Sequence, residues 1–573
     1  MGSYSFRRKP GRFVPVFLCI GAFLAPPARL AALPSSQNSE SSPHARDQTR
    51  LPHFRDTAPP GELAAAIANA MTDEELLSQI LMFGWAGSDP SKEVIDWVSL
   101  RSLGSIKVFG WNTDNTEKVA SSVGLLQELA LKNRFGIPLF VATDQEGGWI
   151  RHIKGKTSDT PGNLAIGASG LPSDAWHSGY YIGRELAALG INLNFAPTLD
   201  LYTDHDSTVI GPRSFGENPE AAGILGAAFS QGSRKAGVLS TAKHFPGHGH
   251  TGLDSHGHLP VIDIDEETLR NRELIPFVYL IRSGVPAIMS AHLSFPRITA
   301  GGKPATFSKW FLQDLLRGEL GFEGLIITDD IMMNGATTFA GSVSLAVQLA
   351  VEAGNDIVES STTPRFQDAF WVNNLNRMKA VPEFRARVKE SATRVLRMKI
   401  EYFSDPSSVP PVPDAKKIAE RVPDPLGKEF FLSQAVRSVT ALRTKELPLP
   451  PEKAGKVLIA SSYPEFLAAG LKRFPGAETA AINADLPRKA RKADTVIYGL
   501  AGKDGVGRLR ELRETGAKIV VVSILSPVPV ADAPWAQDVL AIYSYSPFSF
   551  QAVFGAIAGD FTPGGRLPLS DLE

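Results

Sequence analysis

The chain has 573 residues, of which 43% are hydrophobic and 21% are charged, a composition typical of globular proteins. This length exceeds that of one typical domain and predicts about two to four domains. Lys and Arg total 59 and Asp and Glu total 60, so the net charge of −1 provides no overall field that would recruit nucleic acid or an anionic membrane. A ligand that is small and neutral, or that is recognised by local groups, fits this balance better.

The first 32 residues have the pattern of an export signal. Four basic residues between positions 7 and 12 precede an apolar run at residues 13–25, and a stretch rich in alanine and proline follows. The apolar run is shorter than the roughly 20 residues that a transmembrane helix needs. We therefore predict a signal peptide at residues 1–32, with an uncleaved membrane anchor as the alternative. Either implies an exported protein that is periplasmic, envelope-associated or secreted, and an anchor would be its only link to a membrane.

Regular alternation of strands and helices is predicted after a flexible lead-in at residues 33–60. Short apolar runs alternate with segments of helical length and helix-like apolar spacing. The eight predicted strands are residues 80–83, 105–109, 138–143, 192–199, 240–244, 287–292, 325–328 and 356–359. The helices between them include residues 115–134, 173–189, 219–236, 266–283 and 342–353.

Eight such alternations predict a (β/α)8 barrel of the TIM type over residues 61–404. An open, doubly wound sheet would show the same alternation. The positions of the polar residues favour the barrel, because the carboxyl ends of its strands meet at one mouth. Five polar residues end or directly follow the apolar runs and would face one ligand there: Asp144, Lys243, His244, His292 and Asp329.

A smaller α/β sandwich domain with a mostly parallel sheet is predicted at residues 451–573. Residues 405–450 form a predicted linker, in which a connecting helix at 425–438 lies between two proline clusters. This second domain contains no dense polar motif, which favours a supporting role. Its predicted strands are residues 456–460, 495–498, 518–523 and 539–543.

The densest group of titratable residues is the segment 243–258, which reads KHFPGHGHTGLDSHGH and holds five of the eleven histidines. The segment follows a predicted strand and is interrupted by glycines, so we expect a loop at the barrel mouth. Asp254 and His256 are close enough for the carboxylate to orient the imidazole for acid/base chemistry. A zinc site is the competing use of these side chains. Their spacing fits no paired-histidine helical motif, and we predict no metal and no cofactor.

Asp329 and Asp330 directly follow the apolar run at residues 325–328. A carboxylate at the end of a buried strand is costly unless it is paired or functional. Adjacent side chains on a strand point in opposite directions, so we expect one of the two to enter the mouth. The alternative is that both cap the following turn.

Taken together, these segments resemble glycoside hydrolase family 3, and within it the two-domain β-N-acetylglucosaminidase branch. Their order and spacing match that family over residues 62–400, and GGRLP at residues 564–568 is similar to its α/β sandwich domain. The segments are KHFPGHGHTGLDSH at 243–256, DQEGG at 144–148, PGN at 161–163, NFAPTLD at 194–200, RSFG at 213–216, PAT at 304–306 and TDD at 328–330.

The resemblance implies a retaining exo-β-N-acetylhexosaminidase that acts through a covalent glycosyl-enzyme. Its expected partner is a glycan that carries terminal β-linked N-acetylglucosamine, such as a peptidoglycan fragment. In this family Asp329 would be the nucleophile, and His256 would be the acid and base with Asp254 as its partner. Four residues match the positions that hold the sugar: Asp144, Arg213, Lys243 and His244.

The chain departs from the family pattern at His152, where an arginine is common. Two other activities remain as alternatives, a family 3 β-glucosidase and a phosphorylase of β-N-acetylglucosaminides. The Asp254-Ser255-His256 element favours the N-acetylglucosaminidase branch over a glucosidase. A phosphorylase stays open because a histidine acid/base repels phosphate less than a carboxylate does. A glycan-binding module without activity is disfavoured, because the candidate catalytic residues are all present.

Overall fold

The structure is a computed structural model that describes residues 50–207 and 209–570. The predicted signal peptide or anchor therefore lies outside the described residues, as does most of the lead-in. The described residues from Leu51 onwards form one compact unit. Among them, no single helix is long and apolar enough to cross a membrane. The consecutive helices Asn334–Ala340 and Val343–Ala353 together have the necessary length and apolar composition, but the chain bends by 93° between them.

The first sheet has eight parallel strands in sequential order. From the first to the seventh, each strand pairs with the next, and the eighth pairs with the first. A parallel bridge between Ile327 and Ile357 connects the seventh strand with the eighth. The sheet is therefore a TIM-type barrel, and all eight predicted strands are confirmed. The strands are β1 Leu81–Phe83, β2 Ser105–Lys107, β3 Phe140–Thr143, β4 Leu193–Asn194, β5 Leu239–Phe245, β6 Ala287–Ser290, β7 Leu325–Thr328 and β8 Val358–Ser360.

Helices surround this barrel, and their ends follow ordinary capping chemistry. Before helix Pro219–Lys235, the side chain of Asn218 accepts the N–H of Ala221 at 2.9 Å, and Gly237 beyond its end has a φ of 86°. The predicted helix at 219–236 is thus confirmed within one residue. The helices of this part are Pro60–Ala70, Asp73–Gln79, Lys92–Arg101, Thr116–Leu131, Asn163–Ser169, Pro172–Ala188, Pro219–Lys235, Leu274–Arg282, Asn334–Ala340, Val343–Ala353, Ala369–Ala380 and Pro382–Ser404, with π-helical segments at Leu269–Glu273 and Trp310–Glu319.

Helix Pro382–Ser404 covers the amino end of the barrel. Lys399 Nζ donates to the carbonyl oxygen of Gly104, just before β2, and Tyr402 Oη donates to that of Gly237, just before β5. The barrel interior is a packed apolar core, and in barrels of this type the active site lies at the carboxyl end of the strands. The core residues from the strands and their flanks are Met82, Phe140, Ala142, Leu193, Phe195, Ala287, Met289, Leu325, Ile327 and Ile357.

A second sheet of six strands follows the barrel. Its strands are β9 Thr440–Thr444, β10 Val457–Ala460, β11 Glu478–Ala480, β12 Thr495–Leu500, β13 Lys518–Ser523 and β14 Asp538–Ala541. Their order is β9-β14-β13-β12-β10-β11, and all neighbours are parallel except the antiparallel pair β9 and β14. The mostly parallel sheet and the helix Pro425–Ser438 are confirmed. The further helices are Ile418–Arg421, Pro464–Arg473, Leu486–Ala490, Val506–Leu512 and Pro547–Ala558.

The two outermost strands of this sheet are absent from the prediction based on sequence. β11 has three residues and β9 has five, and each includes exposed positions. Edge strands that are short and partly solvated lack the continuous apolar run that marks a buried parallel strand. β9 also lies within the segment predicted as a linker, although it pairs with β14.

The barrel and the second sheet share one apolar cluster. Hydrogen bonds connect the same two parts of the chain. Tyr202 Oη, after β4, lies 2.9 Å from Ser526 Oγ, and Ser546 Oγ donates to the carbonyl oxygen of Asp159 at 3.0 Å. These barrel residues belong to loops at the mouth, so the second sheet supports that end of the barrel. The shared cluster contains Leu164, Ala165, Ala168, Tyr202, Ala541, Tyr543 and Leu569.

Candidate active site

The carboxyl ends of three strands bring charged side chains together at the barrel mouth. Asp144 follows β3, Lys243 lies near the end of β5, and Asp329 follows β7. Lys243 Nζ lies 2.6 Å from Asp144 Oδ1 and 2.7 Å from Glu146 Oε1. All four side chains are buried. The prediction that polar strand ends converge on one mouth is confirmed by these contacts.

Opposite charges keep the buried carboxylates ionised. Arg213 forms a bidentate pair with Glu146 at 2.9 and 2.8 Å, and Lys107 Nζ lies 3.0 Å from Asp144 Oδ2. Burial raises the pKa of Asp144, but Lys107 and Lys243 together hold that pKa well below its usual range. Burial likewise opposes ionisation of Glu146, but Arg213 and Lys243 lower its pKa to about 2. The mouth therefore presents fixed charges that can bind hydroxyl and amide groups.

His244 is fixed by Asp200 on one side and Arg213 on the other. Its Nδ1 lies 2.6 Å from Asp200 Oδ2, and its Nε2 lies 3.3 Å from a terminal nitrogen of Arg213. Asp200 Oδ1 also accepts the backbone N–H of His248 at 2.7 Å. Burial raises the pKa of Asp200, but His244 lowers it more, to about 2. An ionised Asp200 favours the tautomer in which His244 Nδ1–H donates to it and Nε2 accepts from Arg213.

Asp329 and Asp330 have separate surroundings. Burial raises the pKa of Asp329, but His244, His292, Lys107 and the N–H of Asp330 bring that pKa below its usual value. Asp330 Oδ1 instead accepts the backbone N–H groups of Met332 and Ser361, both at 3.0 Å. Asp329 thus faces the charged groups of the mouth as a carboxylate, while Asp330 stabilises the following turn. This agrees with the expectation that one of the two enters the mouth.

Asp254 and His256 form the predicted pair on the loop after β5. His256 Nδ1 lies 2.7 Å from Asp254 Oδ1. The side chain of His256 is 71% exposed and that of Asp254 is 51% exposed. Burial raises the pKa of Asp254, but hydrogen bonds from the backbone and ring of His256 lower it. With Nδ1 engaged, Nε2 is the ring nitrogen left for proton transfer.

The structure places this pair at the rim and leaves it apart from Asp329. Among the described residues, neither side chain forms a hydrogen bond or an ion pair with Asp329. The loop nevertheless packs on the segment that follows Asp329, since the N–H of Gly335 donates to the carbonyl oxygen of Ser255 at 3.0 Å. The loop that carries the pair therefore lies next to the segment after Asp329.

Several charged residues of the site were not predicted from the sequence. Glu146 and Asp200 lie in the quoted segments 144–148 and 194–200, and each pairs with a residue that was singled out. Lys107 and Glu359 lie within predicted strands. Each is a charged side chain inside an apolar run, and this pattern could have identified them, because a buried charge is costly unless it is paired.

Lys107 and Glu359 extend the charged network into the barrel. Lys107 Nζ lies 3.4 Å from Glu359 Oε1 and also lies over the rings of Phe109 and Phe195, 4.4 and 5.0 Å from their centroids. Burial lowers the pKa of Lys107, but Asp144 and Glu359 raise it above its usual value. Burial raises the pKa of Glu359 well above its usual range, and Lys107 opposes this effect.

His152 does not supply the cation that family members commonly have at its position. Its Nδ1 lies 3.5 Å from Asp144 Oδ2, but burial lowers its pKa to about 4, so the ring is neutral near pH 7. Lys107 lies nearer, at 3.0 Å from the same oxygen. A different strand therefore provides a positive charge next to Asp144.

The remaining histidines of the loop do not form a metal cluster. Across residues 50–207 and 209–570, no group of three or more His, Cys, Asp or Glu side chains is arranged to hold a metal ion. His250 and His258 are exposed, and His248 is buried. The ring of His248 lies against that of His244, with 5.9 Å between their centroids.

Comparisons with known proteins identify relatives of this chain. The chain is 37% identical to "Beta-hexosaminidase A" of Pseudoalteromonas piscicida over 281 residues, which cover 46% of this chain and 47% of that relative. It is 36% identical to "Beta-hexosaminidase" of Neisseria gonorrhoeae over 274 residues, which cover 47% of this chain and 73% of the relative. The match thus spans about half the length of the first relative and a larger share of the second.

A solved structure also covers most of the chain. It is that of a glycoside hydrolase family 3 β-N-acetylglucosaminidase from Paenibacillus sp., which matches with a TM-score of 0.78 and 29% identity over 87% of this chain and 99% of that chain. The family model described as "Glycosyl hydrolase family 3 N terminal domain" matches residues 71–398, more than half of the 573 residues. The chain therefore belongs to glycoside hydrolase family 3.

Proposed function

We propose that the chain is a retaining exo-β-N-acetylglucosaminidase that hydrolyses terminal β-linked N-acetylglucosamine. The observation that carries this proposal is the buried Asp329, whose pKa is lowered by His244, His292 and Lys107 despite the effect of burial. An ionised carboxylate at the mouth can attack the anomeric carbon of a sugar. The relatives and the solved structure named above carry matching activities in their names.

The charged row beside Asp329 would hold the terminal sugar. Asp144 and Glu146 are acceptors for hydroxyl groups, whereas Lys243 and Arg213 are placed to donate to hydroxyl or acetamido oxygens. His244 accepts from Arg213 and so helps to orient its guanidinium group. Because these side chains already hold one another, they need little rearrangement when the sugar binds. The carboxylates among them also stabilise the positive charge that develops on the sugar in the transition state.

Proton transfer is assigned to His256. In the first step, Nε2 would protonate the glycosidic oxygen while Asp329 forms the glycosyl-enzyme. In the second step, the same nitrogen would take a proton from the attacking water. Asp254, ionised beside Nδ1, stabilises the imidazolium form that this exchange needs. The position of the pair on a loop fits a group that must approach the substrate from the rim.

Peptidoglycan fragments or related glycans are the proposed natural substrates, and export is the proposed destination. The support for export is the pattern of basic and apolar residues at 1–32. An exported enzyme of this specificity would take part in turnover of the cell envelope. Mass analysis of the products from purified muropeptides would test the substrate, and the site of cleavage after residues 1–32 in the secreted protein would test the signal.

The test of the proposed function combines an activity assay with labelling. Wild-type protein should release N-acetylglucosamine from its p-nitrophenyl β-glycoside, initially as the β anomer, and Asp329→Asn should lower kcat by at least about 10³-fold. A fluorinated N-acetylglucosaminyl donor with a slow second step should label Asp329, as located by peptide mass mapping. Labelling at another residue would overturn the nucleophile assignment.

The same assay separates the alternatives. Preference for p-nitrophenyl β-glucoside would establish a glucosidase instead. Formation of N-acetylglucosamine 1-phosphate, dependent on added phosphate, would establish a phosphorylase. We expect free N-acetylglucosamine as the product both with and without phosphate.

A further inference from the structure

An aromatic side chain at the mouth has no role in the chemistry described so far. Trp111 follows β2 and is 52% exposed, the largest exposed fraction among the exposed aromatic residues of the described chain. Leaving a large apolar surface in water forfeits the stabilisation that burial would give. A single exposed apolar residue is common on protein surfaces. The geometry around Trp111 therefore decides whether its exposure indicates a function.

The indole of Trp111 is held in one orientation. Its ring stacks on that of Phe109, with 4.4 Å between the centroids and 4° between the planes. Its Nε1–H donates to the carbonyl oxygen of Trp85 at 2.7 Å. Asn112 fixes the same turn, because its side chain accepts the N–H of Phe109 at 2.8 Å and donates to the carbonyl oxygen of Trp85 at 3.1 Å. One face of the indole is thus covered, while the other is open to solvent.

The ring of Phe109 lies between Trp111 and the charged groups of the site. Phe109, on which Trp111 stacks, lies over Lys107 Nζ at 4.4 Å and beside the ring of His152 at 5.6 Å. Both of these residues contact Asp144. The turn that carries Trp111 is also tied to His152, whose carbonyl oxygen accepts from Thr113 Oγ1 at 2.7 Å.

We propose that Trp111 is a stacking platform for the sugar ring on the leaving-group side of the bond that is cleaved. The inference rests on the proposed function and names a binding site for the second residue of the substrate. The buried charged groups take the terminal sugar, so only the part of the glycan beyond the cleaved bond reaches the exposed rim. The open face of an indole offers such a ring an apolar surface that matches its axial C–H groups.

The experiment compares two glycosides with the same terminal sugar. N,N′-Diacetylchitobiose has a sugar as its leaving group, whereas methyl β-N-acetylglucosaminide has only methanol. For Trp111→Ala we expect kcat/KM to fall about 10-fold on the disaccharide, the loss typical of an aromatic anchor. On the methyl glycoside kcat/KM should stay within about 2-fold, because nothing reaches the platform. Trp111→Phe should retain most of the activity on the disaccharide.

The control is Tyr279→Ala, which removes an aromatic side chain that is 37% exposed on the outer helix Leu274–Arg282. Tyr279→Ala should leave kcat/KM on both glycosides unchanged. A Tm of Trp111→Ala that matches that of the wild-type protein would show that this variant folds. Equal losses on the two glycosides, or no loss on the disaccharide, would overturn the platform while leaving the proposed function intact. Wild-type protein that cleaves neither glycoside would instead overturn the proposed function and this inference with it.

Discussion

Each lysine of the site lies between two carboxyl groups. Lys243 contacts Asp144 and Glu146, and Lys107 contacts Asp144 and Glu359. Buried charges are tolerated only when partners compensate for the lost hydration, so removing one member leaves its neighbour uncompensated. The network therefore binds the sugar with groups whose positions are set before the substrate arrives, which is how fixed charges contribute most to catalysis.

His256→Ala tests the assignment of the proton donor. Loss of the acid should lower kcat/KM by about 10² to 10⁴-fold on methyl β-N-acetylglucosaminide, because its leaving group needs protonation. The loss should be much smaller on the p-nitrophenyl glycoside, whose leaving group departs readily as an anion. Steady-state kinetics on both substrates provide the measurement. His258→Ala, an exposed histidine on the same loop, is the control and should change neither rate. Equal losses for His256→Ala on the two glycosides would contradict the acid role.

At the scale of elements, the loop at residues 246–258 depends on a close backbone approach. A Cβ atom on Gly249 would lie 1.7 Å from the carbonyl oxygen of Leu201, a contact that no side chain can make without moving the backbone. Gly252, in the same loop, has room, since the nearest atom to its Cβ would be Asp204 Oδ2 at 3.5 Å. The loop that carries Asp254 and His256 is therefore positioned against the segment after β4.

Gly249→Ala should displace this loop and lower kcat by about 10 to 10²-fold, because small misplacements of a catalytic group are costly. The loss should be largest on methyl β-N-acetylglucosaminide, where the rate depends on His256. Gly252→Ala is the matched control and should stay within about 2-fold. Kinetics of both variants, with Tm as a check on folding, decide the matter. A Gly249→Ala variant as active as Gly252→Ala would show that the loop position is unimportant.

The sequence allows prediction of the strands but not of the contacts between them. The apolar runs predicted all eight barrel strands, and spacing alone predicted the bond between His256 and Asp254. Lys107 and Glu359 lie inside such runs. Their ion pair could not be predicted, because it depends on side chains that meet only when the barrel forms. Likewise, β9 and β11 are too short and too exposed to show a buried pattern. Local patterns predict local structure, whereas long-range pairing appears only in the folded molecule.

At the scale of the whole molecule, the second sheet and the carboxyl-terminal segment brace the loop that carries Arg213. The N–H of Glu217 donates to the carbonyl oxygen of Pro568 at 3.2 Å, and the N–H of Arg566 donates to that of Ala168 at 2.8 Å. Asn163 Nδ2 in turn donates to the carbonyl oxygen of Arg213 at 2.7 Å. The position of Arg213, and through it that of Glu146, thus depends on residues more than 300 positions away in the chain.

Leu569→Ala tests this dependence. Leu569 is 2% exposed in the cluster shared by the barrel and the second sheet, so the truncation should cost about 2 to 5 kcal/mol and lower Tm by several degrees. Because Pro568 contacts the segment after Arg213, kcat/KM on the p-nitrophenyl glycoside should fall as well. Leu426→Ala, at a site 57% exposed on helix Pro425–Ser438, is the control and should change stability by no more than about 0.5 kcal/mol. Calorimetry and kinetics measure both effects, and an unchanged kcat/KM in a destabilised Leu569→Ala protein would mean that the Arg213 loop holds its position without this contact.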